Sequence, residues 1–135
     1  MTTINDIKQI LIPDVHSERG KLAVIEKNII PFEIKRVYYL YDVPHDSYRG
    51  GHAHKEQKSL VIALSGSFDI LVDDSAFKKT ITLNKPNQGL FIPTGVWREI
   101  LNFSSGAVCL VLASNEFNED EYIREYDDFL LFKGA

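Results

Sequence analysis

Two histidines, His52 and His54, stand one residue apart in a stretch that is typical of an extended strand. Alternate residues of a strand share a face, so the two side chains are expected about 7 Å apart. Gly50 and Gly51 precede the pair and allow the backbone to bend or bulge, which aims the imidazoles into a cavity. Paired imidazoles in a sheet can ligate a metal, transfer protons or form structural hydrogen bonds.

The residues around the pair predict the sheet that must position it. Residues 60–64 form a short, branched, apolar run followed by Ser65 and Gly66, which predicts a buried strand entering a turn. Similar short runs recur along the chain, separated by turn residues at a spacing of roughly eight to twelve. This pattern predicts an all-β sandwich or barrel.

The N-terminal part is expected to contain three of these strands. Residues 7–12 are extended, residues 13–20 form a loop, and residues 21–26 alternate as a strand does. Residues 33–41 are rich in aromatic and branched side chains and predict a further strand. On that strand alternation places Tyr38 and Arg36 on one face.

The C-terminal tail has a different pattern. Asn118 is a suitable cap for a short helix whose first turn is acidic, where the helix dipole favours negative charge. Tyr122, Tyr126 and Phe129 or Leu130 then share a helical face, which we expect to dock on the barrel rather than bind a ligand.

The composition limits the function classes. The chain has 135 residues, enough for one domain with its own core, and a net charge of −4, which argues against nucleic acid or an anionic membrane as a partner. A small anionic ligand needs only a local cluster of arginines. No apolar run reaches membrane-spanning length, and the N-terminus lacks the features of a signal peptide. With one cysteine, Cys109, in an apolar run, we expect a buried thiol and a cytoplasmic protein.

The spacing of these residues resembles the two motifs of the cupins, small double-stranded β-helix (jelly-roll) proteins. The matching residues are Gly51, His52, His54 and Gly66 in the first motif and Gly89, Pro93, Gly95 and Asn102 in the second. The acidic metal ligand of the first motif falls on Lys58 or Ser59, and the histidine of the second falls on Arg98. Because added positive charge repels a cation, we expect no metal cofactor.

A closer resemblance, to the dTDP-sugar 3,4-ketoisomerases, covers nearly the whole chain. The segments that carry it are residues 19–26, 34–39, 49–55, 111–114 and 120–129. The resemblance implies a metal-free cupin that converts dTDP-4-keto-6-deoxyglucose to a dTDP-3-keto-6-deoxyhexose for deoxyaminosugar biosynthesis. It also implies a homodimer that exchanges N-terminal strands. Family members often have Gln where this chain has Ser59, and His where it has Arg98. These two differences from the family pattern concern the pocket floor and the configuration of the product.

The reaction that the resemblance implies needs a base and a stabiliser of negative charge. A neutral imidazole suits the removal of the C3 proton because its pKa lies near the operating pH. We therefore expect His54 to be the main base and His52 to carry or donate protons. Tyr38 is a third catalytic candidate, with core packing as an equal alternative. The developing enediolate oxygen requires a donor or a cation nearby.

The diphosphate of such a ligand is best held by arginine, whose planar fork matches phosphate oxygens. Arg49, Arg36 and Arg19 are the candidates, and Arg19 can also reach across a dimer. Arg98 is either a further clamp, a neutraliser of the enediolate, or the partner of Glu99 or Glu26 in a salt bridge.

Two aromatic residues are additional candidates for substrate contact. Trp97 can stack on thymine, although core packing is the commoner role of such a residue. Tyr39 points away from Tyr38 by alternation and lines the cavity only if a bulge intervenes. His16 and His45 lie in predicted loops without a visible partner, so we expect both to be solvent-exposed.

Three alternative functions remain open. The first is a cupin sugar-nucleotide epimerase, which pairs its base histidine with an aspartate and uses a tyrosine acid; no such aspartate is evident in the sequence. The second is a metal-dependent cupin oxygenase. The third is a non-catalytic sugar-binding cupin, which has no need of paired histidines.

Overall fold

The computed structural model describes residues 2–134 and contains, within that range, twelve strands in three antiparallel sheets and one short α-helix. The first sheet has the order β1 (Lys8–Leu11), β9 (Gln88–Ile92), β6 (Ser59–Ser65), β11 (Val108–Ala113), β4 (Arg36–Tyr41). The second has the order β12 (Tyr122–Ile123), β5 (Arg49–His54), β10 (Trp97–Leu101), β7 (Phe68–Asp73), β8 (Lys78–Leu83). A separate hairpin pairs β2 (Asp14–Ser17) with β3 (Gly20–Ala23).

The main core lies between the two five-stranded sheets. Alternate residues of β6 and β7, among them Val61, Phe68 and Ile70, point into it and are almost fully buried. Full burial of such a side chain contributes about 1.5–3 kcal/mol, so this layer dominates the stability. Cys109 belongs to the same cluster, as predicted for a buried thiol, and burial raises its pKa to about 12.

Strand β6 is buried on both faces. Leu60 and Ile62 pack on the outer side of the first sheet against Ile12 and Ile30, which the N-terminal segment brings across it. The continuous apolar run predicted for this strand is thus explained, because a strand covered on both sides has no polar face.

The N-terminal hairpin differs from the prediction. The segment expected to be a loop contains β2, which pairs with β3 in the register Val15↔Leu22. Val15 and Leu22 are each 62% exposed, and β4 forms an edge of the first sheet. The hairpin is therefore an arm with exposed apolar side chains rather than part of either large sheet.

The C-terminal tail also differs from the predicted helix. Asn118 caps a 3₁₀ turn at Glu119–Glu121, which is followed by β12, and α1 begins only at Tyr126 and ends at Phe132. Tyr122 therefore pairs with His54 in the second sheet instead of lying on a helix. No helix in the described range is long and apolar enough to cross a membrane.

Candidate active site

A cavity of about 490 Å³ opens between the two large sheets. Strands β4, β6 and β11 form one wall, and β5, β10 and β12 form the other. Its polar lining comprises Tyr38, Arg49, His52, Arg98, Tyr122 and Arg124. The wall is thus rich in cations, although the chain as a whole is acidic. A negatively charged ligand is the kind that such a lining favours.

A β-bulge in β5 brings Arg49 and His52 to the same side. His52 pairs with Arg98 and Arg49 pairs with Ile100, so β5 has two residues in an interval where β10 has one. Gly50 adopts a φ of 94°, which other residues rarely do, and this explains the glycine. In a regular strand, residues three apart face opposite sides; the extra residue gives Arg49 and His52 a common cavity wall.

The two histidines are in direct contact. His52 Nε2 and His54 Nε2 are 3.1 Å apart, and the rings meet edge to face. His52 lines the cavity, whereas His54 lies behind it with no accessible surface. On its far side, His54 Nδ1 hydrogen bonds the carboxylate of Glu121. The predicted shared face is confirmed, and of the two rings only that of His52 lines the cavity. This placement favours His52, rather than the predicted His54, as the main base.

Both imidazoles are neutral at neutral pH. Burial lowers the pKa of His52 to about 2, with Arg98 adding to the effect. Burial, then Arg98 and His52, also lower the pKa of His54. The carboxylate of Glu121 acts in the opposite direction on His54, because it stabilises an imidazolium. Neutral rings have the free lone pairs that proton abstraction requires.

Arg98 is a buried cation. Arg98 is 4% exposed, and its Nε and Nη2 each donate to the carbonyl oxygen of Val96 at 3.3 Å. Burial lowers its pKa to about 10, so it stays charged. Among residues 2–134 it forms no ion pair. The alternative of a salt bridge with Glu99 or Glu26 is therefore wrong.

Arg36 supports the wall from behind. Its Nη2 donates to Gln57 Oε1 and to the hydroxyl of Tyr122, both at 2.9 Å, and its guanidinium lies 4.6 Å from the centre of the Tyr38 ring. Burial raises the pKa of Tyr38, so its hydroxyl keeps its proton at neutral pH. Arg36 and Tyr38 are thus brought to the site as alternation predicts, with Tyr38 on the lining.

Three site residues from the tail were not among the candidates that we identified from the sequence: Glu121, Tyr122 and Arg124. The ring centre of Tyr122 is 4.4 Å from that of His54, and the guanidinium carbon of Arg124 lies 4.4 Å from the centre of the Tyr122 ring. Arg124 is held by Glu119 through two hydrogen bonds of 2.6 and 2.8 Å. The available signal was the match of residues 120–129 to the ketoisomerases, which gave no role to individual residues.

Besides Arg36, three predicted contacts do not lie on the cavity lining. Trp97 packs with Phe129 beneath α1, so the prediction that it stacks on thymine is wrong for this arrangement of the chain. Tyr39 is 60% exposed on the outer face, because the β4–β11 register continues without a bulge. Arg19 lies in the exposed turn of the β2–β3 arm.

The two remaining histidines lie elsewhere. Both are exposed, as predicted, but each has a partner: His16 Nε2 hydrogen bonds Asp14 at 2.8 Å, and His45 Nδ1 donates to the carbonyl oxygen of Phe103 at 2.9 Å. Neither is close to the cavity lining.

The residues of the site do not fit a divalent metal. Within the described range, no group of three or more His, Cys, Asp or Glu side chains is arranged to hold one. The two Nε2 atoms face each other and Nδ1 of His54 faces Glu121, while Arg98 adds a fixed positive charge opposite His52. Such a set repels a cation.

A jelly roll with a histidine pair at its cavity, His52 on the lining and His54 behind it, is the arrangement of a cupin. The family described as FdtA: WxcM-like, C-terminal, matches residues 5–134, and the chain belongs to it. A curated relative, the TDP-4-oxo-6-deoxy-alpha-D-glucose-3,4-oxoisomerase of Aneurinibacillus thermoaerophilus, is 43% identical over 123 residues, which cover 90% of this chain and 88% of that protein.

Solved structures agree with this assignment. A 3,4-ketoisomerase from Helicobacter canadensis is 48% identical with a TM-score of 0.93, covering 96% of this chain and 98% of that one. The sugar 3,4-ketoisomerase QdtA from Thermoanaerobacterium thermosaccharolyticum, in complex with TDP, is 40% identical with a TM-score of 0.95, covering 98% and 97%. A histidine-to-asparagine mutant of QdtA was solved with TDP-4-keto-6-deoxyglucose. The predicted family, fold class and enzymatic nature are confirmed.

Proposed function

We propose that this protein moves the keto group of dTDP-4-keto-6-deoxyglucose from C4 to C3 and so forms a dTDP-3-keto-6-deoxyhexose. The observation that carries the proposal is the neutral imidazole of His52 on the cavity wall, with the buried guanidinium of Arg98 on the strand beside it. The relatives named for this chemistry, and the QdtA complex with the same keto sugar, support the choice of substrate.

The reaction proceeds through an enediol. His52 removes the proton from C3, the C–H electron pair becomes the C3–C4 double bond, and the carbonyl electrons move to O4. The hydroxyl proton of O3 then passes to O4, and a proton returns to C4 as the C3 ketone forms. His52 takes the first proton because it lies on the lining, whereas His54 is reached only through it.

Two groups stabilise the negative charge of the enediolate. Arg98 is a cation in a site with little water, where electrostatic stabilisation is strongest. Tyr38 supplies a hydroxyl that keeps its proton and can donate it in a hydrogen bond. Within residues 2–134 neither side chain is paired with a carboxylate, which suits these roles.

The diphosphate binds at the mouth of the cavity. Arg49 and Arg124 line it there, and both are exposed to solvent in the absence of ligand. Arg36 acts from behind by fixing Tyr122 and Gln57. We assign Arg19 to the site of a second subunit, since its arm projects away from the cavity of its own chain.

The proposal includes a homodimer in which the β2–β3 arm adds to the sheet of the partner. The arm exposes Val15 and Leu22, and the edge strand β4 exposes Tyr39 and Tyr41 in the same chain. Unpaired strand edges with apolar side chains favour strand addition.

The proposal also includes a metal-independent reaction, because the positive charge of Arg98 disfavours a cation. It further includes a cytoplasmic location, where a free thiol such as Cys109 stays reduced.

The test is proton NMR of dTDP-4-keto-6-deoxyglucose incubated in D₂O with chelator-treated protein. We expect a 3-keto product with deuterium at C4. The same incubation in H₂O leaves a proton at C4, and its coupling to H5 gives the C4 configuration. Exchange of ring protons with the ketone still at C4 would instead indicate an epimerase, for which Glu121 beside His54 supplies the carboxylate that the sequence did not reveal. Line broadening without exchange would indicate a sugar-binding protein.

Single His52→Asn and His54→Asn variants test the proton path. We expect kcat of each variant to fall at least a thousandfold while the substrate still binds, because each substitution interrupts the transfer of the proton between the substrate and the histidine pair. His45→Asn is the matched control and should keep its activity, since His45 lies in an exposed loop. Full activity of His52→Asn would remove that residue from the mechanism.

A further inference from the structure

We propose that Glu121 is a positioning residue that fixes His54 in the Nδ1–H tautomer and so leaves its Nε2 lone pair facing His52. The inference rests on the proposed function for its catalytic consequence, but the tautomer itself is a property of the protein alone. Glu121 is 5% exposed and lies 67 residues from His54 in the sequence.

Hydrogen-bond donors surround the carboxylate of Glu121. Its Oε2 accepts hydrogen bonds from the backbone N–H groups of Glu56 at 3.2 Å and Gln57 at 3.3 Å. Its Oε1 faces Nδ1 of His54. A carboxylate accepts hydrogen bonds, so the hydrogen of this contact belongs to Nδ1 of His54.

The opposite side of the ring provides independent evidence. The guanidinium of Arg36 can only donate, so the atom of Gln57 that it contacts at 2.9 Å must be the oxygen. The amide nitrogen of Gln57 therefore lies on the side of His54, 3.4 Å from Nε2. Because an amide nitrogen donates, Nε2 of His54 is the acceptor of this contact. Nε2 of His52, 3.1 Å from the same atom, must then carry the hydrogen between the two rings.

This orientation creates a proton path from the cavity to Glu121. When His52 accepts the substrate proton at Nδ1, its Nε2–H can pass to Nε2 of His54. His54 then carries hydrogens on both nitrogens, and its positive charge lies against the carboxylate of Glu121. The proton returns by the reverse steps after the hydrogen on Nδ1 of His52 has exchanged with solvent, so no proton is gained or lost and C4 receives deuterium in D₂O. Without Glu121 the imidazolium would be buried with no anion in contact, which is costly.

The backbone places Glu121 independently of its side chain. The carbonyl oxygen of Glu121 accepts from Lys55 N at 2.8 Å, its own N–H donates to Asn118 O at 3.2 Å, and Tyr122 pairs with His54 in the next register position. A Gln side chain at this position keeps an oxygen for the two backbone donors. We therefore expect a Glu121→Gln variant to fold.

The experiment measures tautomer and turnover in wild type and Glu121→Gln. In ¹⁵N-histidine NMR spectra of the substrate-free protein we expect the Nδ1–H tautomer of His54 in wild type. In Glu121→Gln the amide donates to Nδ1, so the hydrogen should move to Nε2. We expect kcat to fall by roughly 10²–10⁴-fold, as when the carboxylate that orients a catalytic histidine is lost, with KM changed less than threefold.

Glu56→Gln is the matched control. It removes the same charge from the connection between β5 and β6, next to Glu121, but its exposed side chain contacts neither histidine, so tautomer and kcat should stay as in wild type. An Nε2–H tautomer in the wild-type protein would overturn the proposal, as would a Glu121→Gln variant with kcat within threefold of wild type. If the Glu121→Gln variant does not fold, the tautomer of His54 in the wild-type spectrum still tests the proposal. A wild-type protein with the expected tautomer but no ketoisomerase activity would contradict the proposed function and not this inference.

Discussion

Arg98 and His52 lie directly opposite each other on neighbouring strands, β10 and β5. Arg98 is buried and His52 is half-buried, so the positive charge of Arg98 acts on the imidazole with reduced screening by water. The same charge that discourages protonation of His52 is available to stabilise an enediolate. One residue can thus keep the base neutral before the reaction and balance the anion that forms during it.

An Arg98→Met variant separates these effects. Removing the charge should raise the pKa of His52, because Arg98 is one of the causes that lower it. It should also reduce kcat by about 10²–10³-fold through loss of electrostatic stabilisation. NMR titration of the His52 ring and steady-state kinetics measure the two effects. Arg98→Lys keeps the charge and serves as the control; an unchanged His52 pKa in Arg98→Met would contradict the argument.

The neutral histidines make stability depend on pH. The pKa values of His52 and His54 are lower in the folded protein than in the unfolded chain, where a histidine titrates near 6.5. Between these values the unfolded chain binds more protons, so the free energy of unfolding falls as the pH falls below about 6.5. From pH 7 to pH 5 we expect a loss of about 2 kcal/mol for each of the two histidines.

Urea unfolding at pH 7 and pH 5 measures this loss. His52→Gln, which cannot take up the proton, should show about half of the wild-type difference. The pKa values of Asp69 and Asp74 are lowered, so their contribution to the free energy of unfolding is lost only at a more acidic pH. The change between pH 7 and pH 5 therefore reports on the histidines. Equal free energies of unfolding at the two pH values would show that the histidines are protonated in the folded state.

The position of Trp97 predicts a structural role. Its ring is 5% exposed and packs against Phe129 and Tyr126, away from the cavity. Trp97→Phe should lower the free energy of unfolding by about 1–2 kcal/mol and leave KM within twofold. Arg49→Ala should instead raise KM at least tenfold and change the free energy of unfolding little. A large rise in KM for Trp97→Phe would restore a ligand contact at this residue.

The exposed arm predicts the effect of a charge on assembly. Leu22→Lys puts an ammonium group into the proposed dimer contact, where burying it is costly, and should shift the protein to the mass of one chain in light scattering. Phe77→Lys is the matched control, because Phe77 is 69% exposed but lies outside the arm. A Leu22→Lys protein that keeps the mass of the wild type would contradict the proposed strand exchange.

The main strands could be predicted because their patterns are local. Each of these patterns determines a face or a bend of the chain within a few residues. Examples are the alternation of Arg36 and Tyr38, the apolar run of residues 60–64, and the glycines before His52. The hairpin at β2 was missed, because Asp14 and Ser17 are typical loop residues and only pairing with β3 makes them a strand.

The tail could not be predicted in the same way. Tyr122, Tyr126 and Phe129 have helical spacing, yet Tyr122 is held in a strand by pairing with His54. The contact of Glu121 with His54 joins residues far apart in the sequence, so no local pattern indicates it. Trp97 and Arg98 were both assigned to the site, whereas adjacent residues of a strand must face opposite sides.

The bulge in β5 gives the length of this strand a functional meaning. Deleting Gly51 would remove the bulge but leave Arg49 two residues before His52, so both would still share a face. Deleting Ala53 would instead make His52 and His54 neighbours on β5, and neighbouring residues of a strand face opposite sides of the sheet. In an alignment with related chains, a one-residue gap between the two histidines would therefore indicate loss of the pair, whereas a gap at Gly51 would not.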